Sequence, residues 1–211
     1  MLIYFVSFFK NIFSALNVSN LSEFSKHIRS KNITCDEWIE SDDKGEVKYL
    51  RVSPFGSTTH TLIERQNYPE DNFLPKWTEN PLLYNYKNSY FQSLPATMLQ
   101  KIDHLAINLT TGTMNNVVDE FYIKTLFLKK FWSQNDATII NSDHSGLKSI
   151  FMINDDSENI KLTINEPIDG KYKSQIQEFL DYHRGPGVQH IAFKTDNIEE
   201  SIVELKNRGM F

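Results

Sequence analysis

Hydrophobic and polar positions follow the same order in three stretches of the chain: a short strand-like run, a polar turn and an amphipathic helix. The strand-like runs are residues 13–19 (FSALNVS), 104–110 (HLAINLT) and 190–196 (HIAFKTD). After the last run, Ile198, Ile202 and Leu205 are spaced i, i+4 and i+7, so they lie on one face of a helix. The repeated unit therefore begins with a strand and a helix.

The same pattern predicts where the helices begin and end. The predicted helices are residues 21–30, 114–126 and 198–207. Asp196 is the predicted N-cap of the last helix, because its side-chain oxygen can accept a hydrogen bond from a first-turn N–H. Gly209 is predicted to take the left-handed conformation with which many helices end.

Further strand-like runs follow the first two helices, with hairpin turn signals at 42–45 (DDKG) and 154–157 (NDDS). These runs are residues 46–52, 58–64, 130–133, 148–154 and 159–164. The unit is therefore β-α-β-β-β, which predicts an α+β fold. A third unit begins at 188, and the proline-bearing segment 68–100 between the first two predicts an ordered connector and a domain boundary.

Two histidines, His104 and His190, occupy the same position in two copies of the unit. Residues i and i+2 of a strand share a face, and each histidine has a small alanine two residues further on. If the units pair, the two rings converge, and neutral imidazoles suit Fe, Zn, Cu or Ni. Ordinary core or surface roles remain the alternative. The first copy has Phe13 at this position, so no metal is expected there.

Composition excludes several other classes of protein. A hydrophobic share of 40% and a charged share of 23% over 211 residues argue against a disordered chain. A net charge of −5 argues against a nucleic-acid partner. The apolar run at residues 1–9 is too short for a membrane span and lacks a preceding basic residue, so a cytoplasmic protein without a membrane partner is expected. Cys35 is expected to be a small buried hydrophobic residue.

Several segments from about residue 38 onward form a specific combination: GSTTHTLIERQNY, FLPKW, IDHLAIN, LKSI, INEP, KSQIQEFLDY and GVQHIAFKTDNI. In these segments the chain closely resembles the 4-hydroxyphenylpyruvate dioxygenases. The resemblance implies the vicinal oxygen chelate fold, in which β-α-β-β-β modules pair into open barrels. It assigns residues 12–67 to the last module of a first barrel without metal, 68–100 to a connector, and 101–211 to an incomplete second, metal-binding barrel.

The resemblance also implies the cofactor, the partners and the site residues. The family uses Fe(II) held by two histidines and one glutamate, and acts on a 2-oxo acid and dioxygen in tyrosine and phenylalanine catabolism. The histidines carry over to His104 and His190. The substrate-contacting positions carry over to Ser149, Asn165, Gln175 and Gln189. Strand alternation turns Gln189 away from the face of His190 unless a bulge redirects it. A homo-oligomer is implied for the full-length family.

The chain departs from the family at both ends, so we expect a partial chain that lacks the ligand glutamate. By repeat logic, Glu64 occupies the matching place in the first barrel, which makes it an equivalent position and not the ligand. Asp103 is expected to point away from the face of His104. Three hypotheses remain: a partial dioxygenase that is inactive as this chain alone, a catalytically dead interaction or weak metal-binding module, and a related hydroxymandelate synthase.

The remaining histidines are expected to have no role in the chemistry. His60 is predicted to be a solvated strand residue, His27 to lie on the polar side of a helix, and His144 and His183 to lie in polar turns.

Overall fold

The computed structural model of the 211-residue chain describes residues 3–8, 11–78, 93–131, 138–141, 145–155 and 160–210. The first half contains the strands β1 (Ile3–Phe8), β2 (Asn11–Asn17), β3 (Cys35–Asp42), β4 (Gly45–Phe55) and β5 (Thr58–Glu64), with the helix α1 (Leu21–Ser30). The second half contains β6 (Lys101–Asn108), α2 (Met114–Asn116), a π-helix (Val117–Ile123), β7 (Lys129–Lys130), β8 (Thr138–Asn141), β9 (Gly146–Ile153), β10 (Lys161–Ile168), α3 (Gln175–His183), β11 (Gly187–Lys194) and α4 (Ile198–Asn207).

The strands form two sheets with the same internal order. The first sheet runs β1-β2-β5-β4-β3, and the second runs β11-β6-β10-β9-β7, with β8 also paired to β9. In each sheet the first and last strands of one module lie side by side and parallel, namely β2 with β5 and β6 with β10. In each sheet one further antiparallel strand extends the edge, β1 beside β2 and β11 beside β6. The sheets therefore carry two copies of the predicted β-α-β-β-β unit.

Several predicted boundaries are confirmed. The helices at 21–30 and 198–207 and the strand at 58–64 have the predicted ends. The hairpin at 42–45 forms, with Asp42 paired to Gly45, and Gly209 has a φ of +73°. The predicted helix at 114–126 begins at Met114 but continues as the π-helix. The turn at 154–157 and the strand at 130–133 lie partly outside the described residues.

Other features differ from the predictions. Asn197, and not Asp196, is the N-cap of α4, and its side chain accepts a hydrogen bond from the backbone N–H of Glu200. The helix α3 was missed, although Ser174 caps it and its buried residues Ile176 and Leu180 are spaced i, i+4. The strand β3 was also missed. It lies at a sheet edge, and its sequence does not alternate strictly, because charged Asp36 and Glu37 are adjacent and so are apolar Trp38 and Ile39.

One hydrophobic core joins the two modules. It includes Leu50 and Leu62 from the first sheet, Ile107 and Ile164 from the second, and Tyr122 from the π-helix. Because alternate residues of a strand face opposite sides, this core takes one face of each sheet. A second, smaller apolar cluster around Tyr49 lies on the other face of the first sheet. Among the described residues, no helix has the length and hydropathy needed to cross a membrane.

Candidate metal centre

The two candidate ligands lie on adjacent antiparallel strands. His104 on β6 pairs with Ala192, and His190 on β11 pairs with Ala106, so the histidines are diagonal neighbours across the ladder. Their ring centroids are 5.7 Å apart at an interplanar angle of 73°. The small alanine opposite each ring leaves space beside it. The repeat thus places the two imidazoles together on one face of the second sheet.

A β-bulge at Gln189 gives His190 this orientation. Val188 pairs with Ile107 and His190 pairs with Ala106, so two steps along β11 match one step along β6. The extra residue is Gln189. Val188 therefore faces the core with Ile107, while His190 faces the side of His104. The sequence allowed for a bulge at Gln189 as an exception to strand alternation, and the structure contains it.

Each histidine has its Nδ1 atom engaged by the residue that precedes it. His104 Nδ1 lies 2.8 Å from Asp103 Oδ2, and His190 Nδ1 lies 3.1 Å from Gln189 Oε1. The expectation that Asp103 points away is wrong, because the ladder shifts register at Asp103 and interrupts the strand alternation, and its carboxylate contacts the ring of His104. The bond to His104 and the charge of Lys161 hold the pKa of the Asp103 carboxyl below its usual value, against a smaller effect of burial.

The protonation of His190 also depends on its surroundings. Burial lowers the pKa of His190, and the nearby His104 lowers it further. Both effects favour the neutral imidazole, which is the form that binds a metal.

A row of polar side chains crosses the same face. In the register of the sheet Ser149 pairs with Asn165, and Asn165 pairs with Asn108. Ser149 Oγ donates to Asn165 Oδ1 at 2.8 Å, and Asn165 Nδ2 donates to Asn108 Oδ1 at 3.1 Å. All three residues are buried. Asn108 lies four residues after His104 on β6, so strand alternation puts both on one face.

Asn108 was missed in the sequence, although the alternation that selected His104 and Ala106 reaches it. Its Nδ2 atom is buried and has no hydrogen-bond partner in the part of the chain that the structure describes. Gln175, in contrast, is exposed at the start of α3, and no described hydrogen bond joins it to Ser149, Asn165 or the histidines. The structure therefore groups Ser149 and Asn165 with Asn108, and leaves Gln175 apart.

Glu64 is not free to act as a ligand. Its Oε2 accepts the backbone N–H of Leu21 at 2.6 Å, and its Oε1 lies 2.9 Å from Lys48 Nζ. Glu166 follows Asn165 in β10 as Glu64 follows Ile63 in β5, and the backbone N–H of Gly112 donates to it. Both carboxylates thus hold the segment that leads into the helix of their own module. Across the described residues, no group of three or more His, Cys, Asp or Glu side chains is arranged to hold a metal.

His60 differs from its prediction. It is 1% exposed, and it contacts Ser14 Oγ through Nδ1 and Tyr122 OH through Nε2 at 3.0 Å. Burial lowers its pKa to about 4. The error arose because β5 alternates polar residues that face the π-helix of the other module and not solvent. His27 and His183 contact backbone carbonyls, and His144 lies outside the described residues.

Comparison with known proteins shows clear relatives. The chain is 42% identical over 182 residues to 4-hydroxyphenylpyruvate dioxygenase from Danio rerio, which is 86% of this chain and 44% of the relative. It is 41% identical over 171 residues to the protein of the same name from Dictyostelium discoideum, again 44% of the relative. The chain spans less than half the length of these curated relatives. No family model matches it.

Solved structures identify the fold. A mutant of 4-hydroxymandelate synthase from Streptomyces coelicolor superposes with a TM-score of 0.71 at 24% identity, covering 94% of this chain and 53% of that one. A xylose isomerase-like TIM barrel/4-hydroxyphenylpyruvate dioxygenase fusion protein gives a TM-score of 0.55 at 17% identity, covering 93% of this chain. The chain has the vicinal oxygen chelate fold.

Proposed function

Since the chain is homologous to the 4-hydroxyphenylpyruvate dioxygenases over 44% of a relative's length, we propose that it carries two of the three Fe(II) ligands and part of the substrate-binding face of such an enzyme. The reaction is the conversion of 4-hydroxyphenylpyruvate and O2 to homogentisate and CO2. The observation that carries the proposal is the juxtaposition of His104 and His190, with ring centroids 5.7 Å apart.

The donor set fits Fe(II) in part. Two imidazoles with Nδ1 engaged leave two Nε2 atoms as ligands, and non-haem iron oxygenases combine such a pair with one carboxylate. The third ligand is not among the described residues, where no group of three suitable side chains occurs. When bound, Fe(II) supplies the reactivity toward dioxygen that protein side chains lack.

The polar row would orient the substrate. A 2-oxo acid presents carboxylate and keto oxygens, which need hydrogen-bond donors near the metal. Asn108 Nδ2 has no partner within the described structure, and Ser149 and Asn165 hold its side chain from the far side. Hydroxyl and amide groups can hold an anionic substrate without competing strongly for the metal. We therefore place Ser149, Asn165 and Asn108 on the substrate side of the site, with Gln189 beside His190.

The two-histidine set also favours a second candidate function, a module that binds a divalent metal weakly without turnover. The two candidates predict different results for this chain when it is mixed with metal, substrate and air. The dioxygenase proposal requires that 4-hydroxyphenylpyruvate tighten metal binding, because the substrate binds next to the metal in one common site. A plain metal-binding module shows no such coupling.

Titration with Co(II), followed by its visible absorption and by calorimetry, tests the proposal. We expect His104→Ala and His190→Ala each to weaken Co(II) binding at least tenfold, and 4-hydroxyphenylpyruvate to tighten it in the wild type. His27→Ala, which removes a half-buried imidazole bonded to the carbonyl of Lys124 and remote from the two histidines in sequence, is the matched control. Binding that survives both site substitutions overturns the proposal. Assay of the products separates homogentisate from 4-hydroxymandelate if turnover occurs.

A further inference from the structure

The residue before each histidine contacts the same ring atom. Asp103 Oδ2 lies 2.8 Å from His104 Nδ1, and Gln189 Oε1 lies 3.1 Å from His190 Nδ1. Oxygen atoms of this kind accept hydrogen bonds, so in both pairs the ring nitrogen Nδ1 carries the proton. In a neutral imidazole the other nitrogen, Nε2, then has the free lone pair. The two pairs therefore leave the lone pair of Nε2 available on both rings, whose centroids are 5.7 Å apart.

From this matched geometry, we propose that Asp103 and Gln189 are positioning residues, which fix the Nδ1–H tautomer and the ring orientation of His104 and His190. The inference rests on the proposed function, because it concerns the same metal site. Hydrogen bonds from the second nitrogen of a metal-binding imidazole commonly tune both orientation and ligand strength. Here each such bond comes from the residue directly before the ligand.

Both contacts arise where the ladder between β6 and β11 shifts register. Asp103 is the unmatched residue of β6, because Ala192 pairs with His104 and Phe193 pairs with Ile102. Its carboxylate also lies 3.8 Å from Lys161 Nζ on the strand β10. Gln189 is the extra residue of the bulge in β11, which lets its side chain reach the ring that follows it. A carboxylate is a stronger acceptor than an amide oxygen. Asp103 therefore contributes more to the orientation and ligand strength of its histidine than Gln189 does.

The metal-free chain provides the first test, through the nitrogen chemical shifts of the histidine side chains recorded where both imidazoles are neutral. We expect the Nδ1–H tautomer for His104 and His190 in the wild type. Asp103→Ala should shift His104 to a mixture dominated by the Nε2–H tautomer, while Asp103→Asn, which keeps an acceptor oxygen, should largely restore Nδ1–H. A wild-type His104 in the Nε2–H form overturns the inference, whether or not the chain binds metal.

Co(II) affinity provides the second test. We expect Asp103→Ala to weaken binding about 10- to 100-fold and Gln189→Ala by a smaller factor, with Asp103→Asn between wild type and Asp103→Ala. Asp36→Ala is the matched control, since it removes one exposed carboxylate of the first sheet that pairs with Arg51. Unchanged affinity in Asp103→Ala overturns the inference and leaves the metal site standing. Absence of Co(II) binding by a wild type with the expected tautomers overturns the proposed function instead.

Discussion

His60 Nε2 lies 3.0 Å from the hydroxyl of Tyr122, which joins the last strand of the first module to the π-helix of the second. Ser14 contacts the other ring nitrogen from β2, and Phe121 stacks on the ring at a centroid distance of 5.8 Å. A π-helix winds more widely than an α-helix, and here it turns the consecutive residues Phe121 and Tyr122 to the same imidazole. The contact between the two modules therefore includes a buried polar group inside a largely apolar core.

The burial of His60 makes stability depend on pH. Its pKa is about 4 in the folded chain against an ordinary value of 6.5, so the unfolded chain binds the proton first as the pH falls. The neutral His60 therefore contributes up to about 3 kcal/mol to the free energy of unfolding. This contribution is fully present above about pH 6.5 and is lost as the pH falls from about 6.5 to about 4. Denaturant unfolding of the wild type and His60→Gln at several pH values isolates this part, because the other titrating groups are common to both. Parallel pH profiles contradict the prediction.

Removal of the Tyr122 hydroxyl should destabilise the contact between the modules. Tyr122→Phe keeps the ring but leaves His60 Nε2 buried without its partner, which costs about 1–3 kcal/mol. Tyr182→Phe is the matched control, since Tyr182 is 92% exposed and its hydroxyl remains in water. Chemical denaturation measures the unfolding free energy of both variants. Equal stability of the two variants would mean that the hydroxyl of Tyr122 contributes nothing to the buried contact.

The adjacent residues Asn197 and Asp196 should contribute differently to the stability of α4. Asn197 accepts a hydrogen bond from the Glu200 N–H at 3.2 Å, whereas Asp196 lies one residue earlier and accepts from the side chain of Gln100. We expect Asn197→Ala to cost about 1 kcal/mol of unfolding free energy and Asp196→Ala less than half of that. Thermal unfolding followed by circular dichroism compares them. A larger loss of unfolding free energy for Asp196→Ala would support Asp196 as the N-cap, as the sequence predicted.

Short-range patterns account for the features that the sequence predicted well. The spacing of Leu21, Phe24 and Ile28 fixes a helix locally, and the alternation of His104 and Ala106 fixes a strand face. The repeat then places His104 and His190 at equivalent positions. These features depend on periodicity, so one sequence is enough to find them.

Long-range packing decides the features that the sequence missed. His60 looked solvated because nothing in β5 indicates that the π-helix covers it. Asp103 looked remote because strand alternation does not predict the register shift at this residue. The bulge at Gln189 depends on the register between two strands that are far apart in sequence, in which Val188 pairs with Ile107. Each of these depends on a partner that local patterns do not specify.

The role of Glu64 can be separated from metal binding by one substitution. Its hydrogen bonds from Lys48 and the Leu21 N–H hold its pKa below the usual value despite partial burial, so the folded chain favours the charged carboxylate. Glu64→Gln keeps the size but removes the charge, and we expect it to cost about 1–2 kcal/mol at neutral pH. That cost should shrink as the pH falls toward the lowered pKa of Glu64, since protonation then removes the same charge from the wild type. Co(II) affinity should remain at the wild-type value, because the carboxylate already serves the start of α1. A loss of Co(II) binding together with unchanged stability would make Glu64 a ligand and contradict the repeat-based assignment.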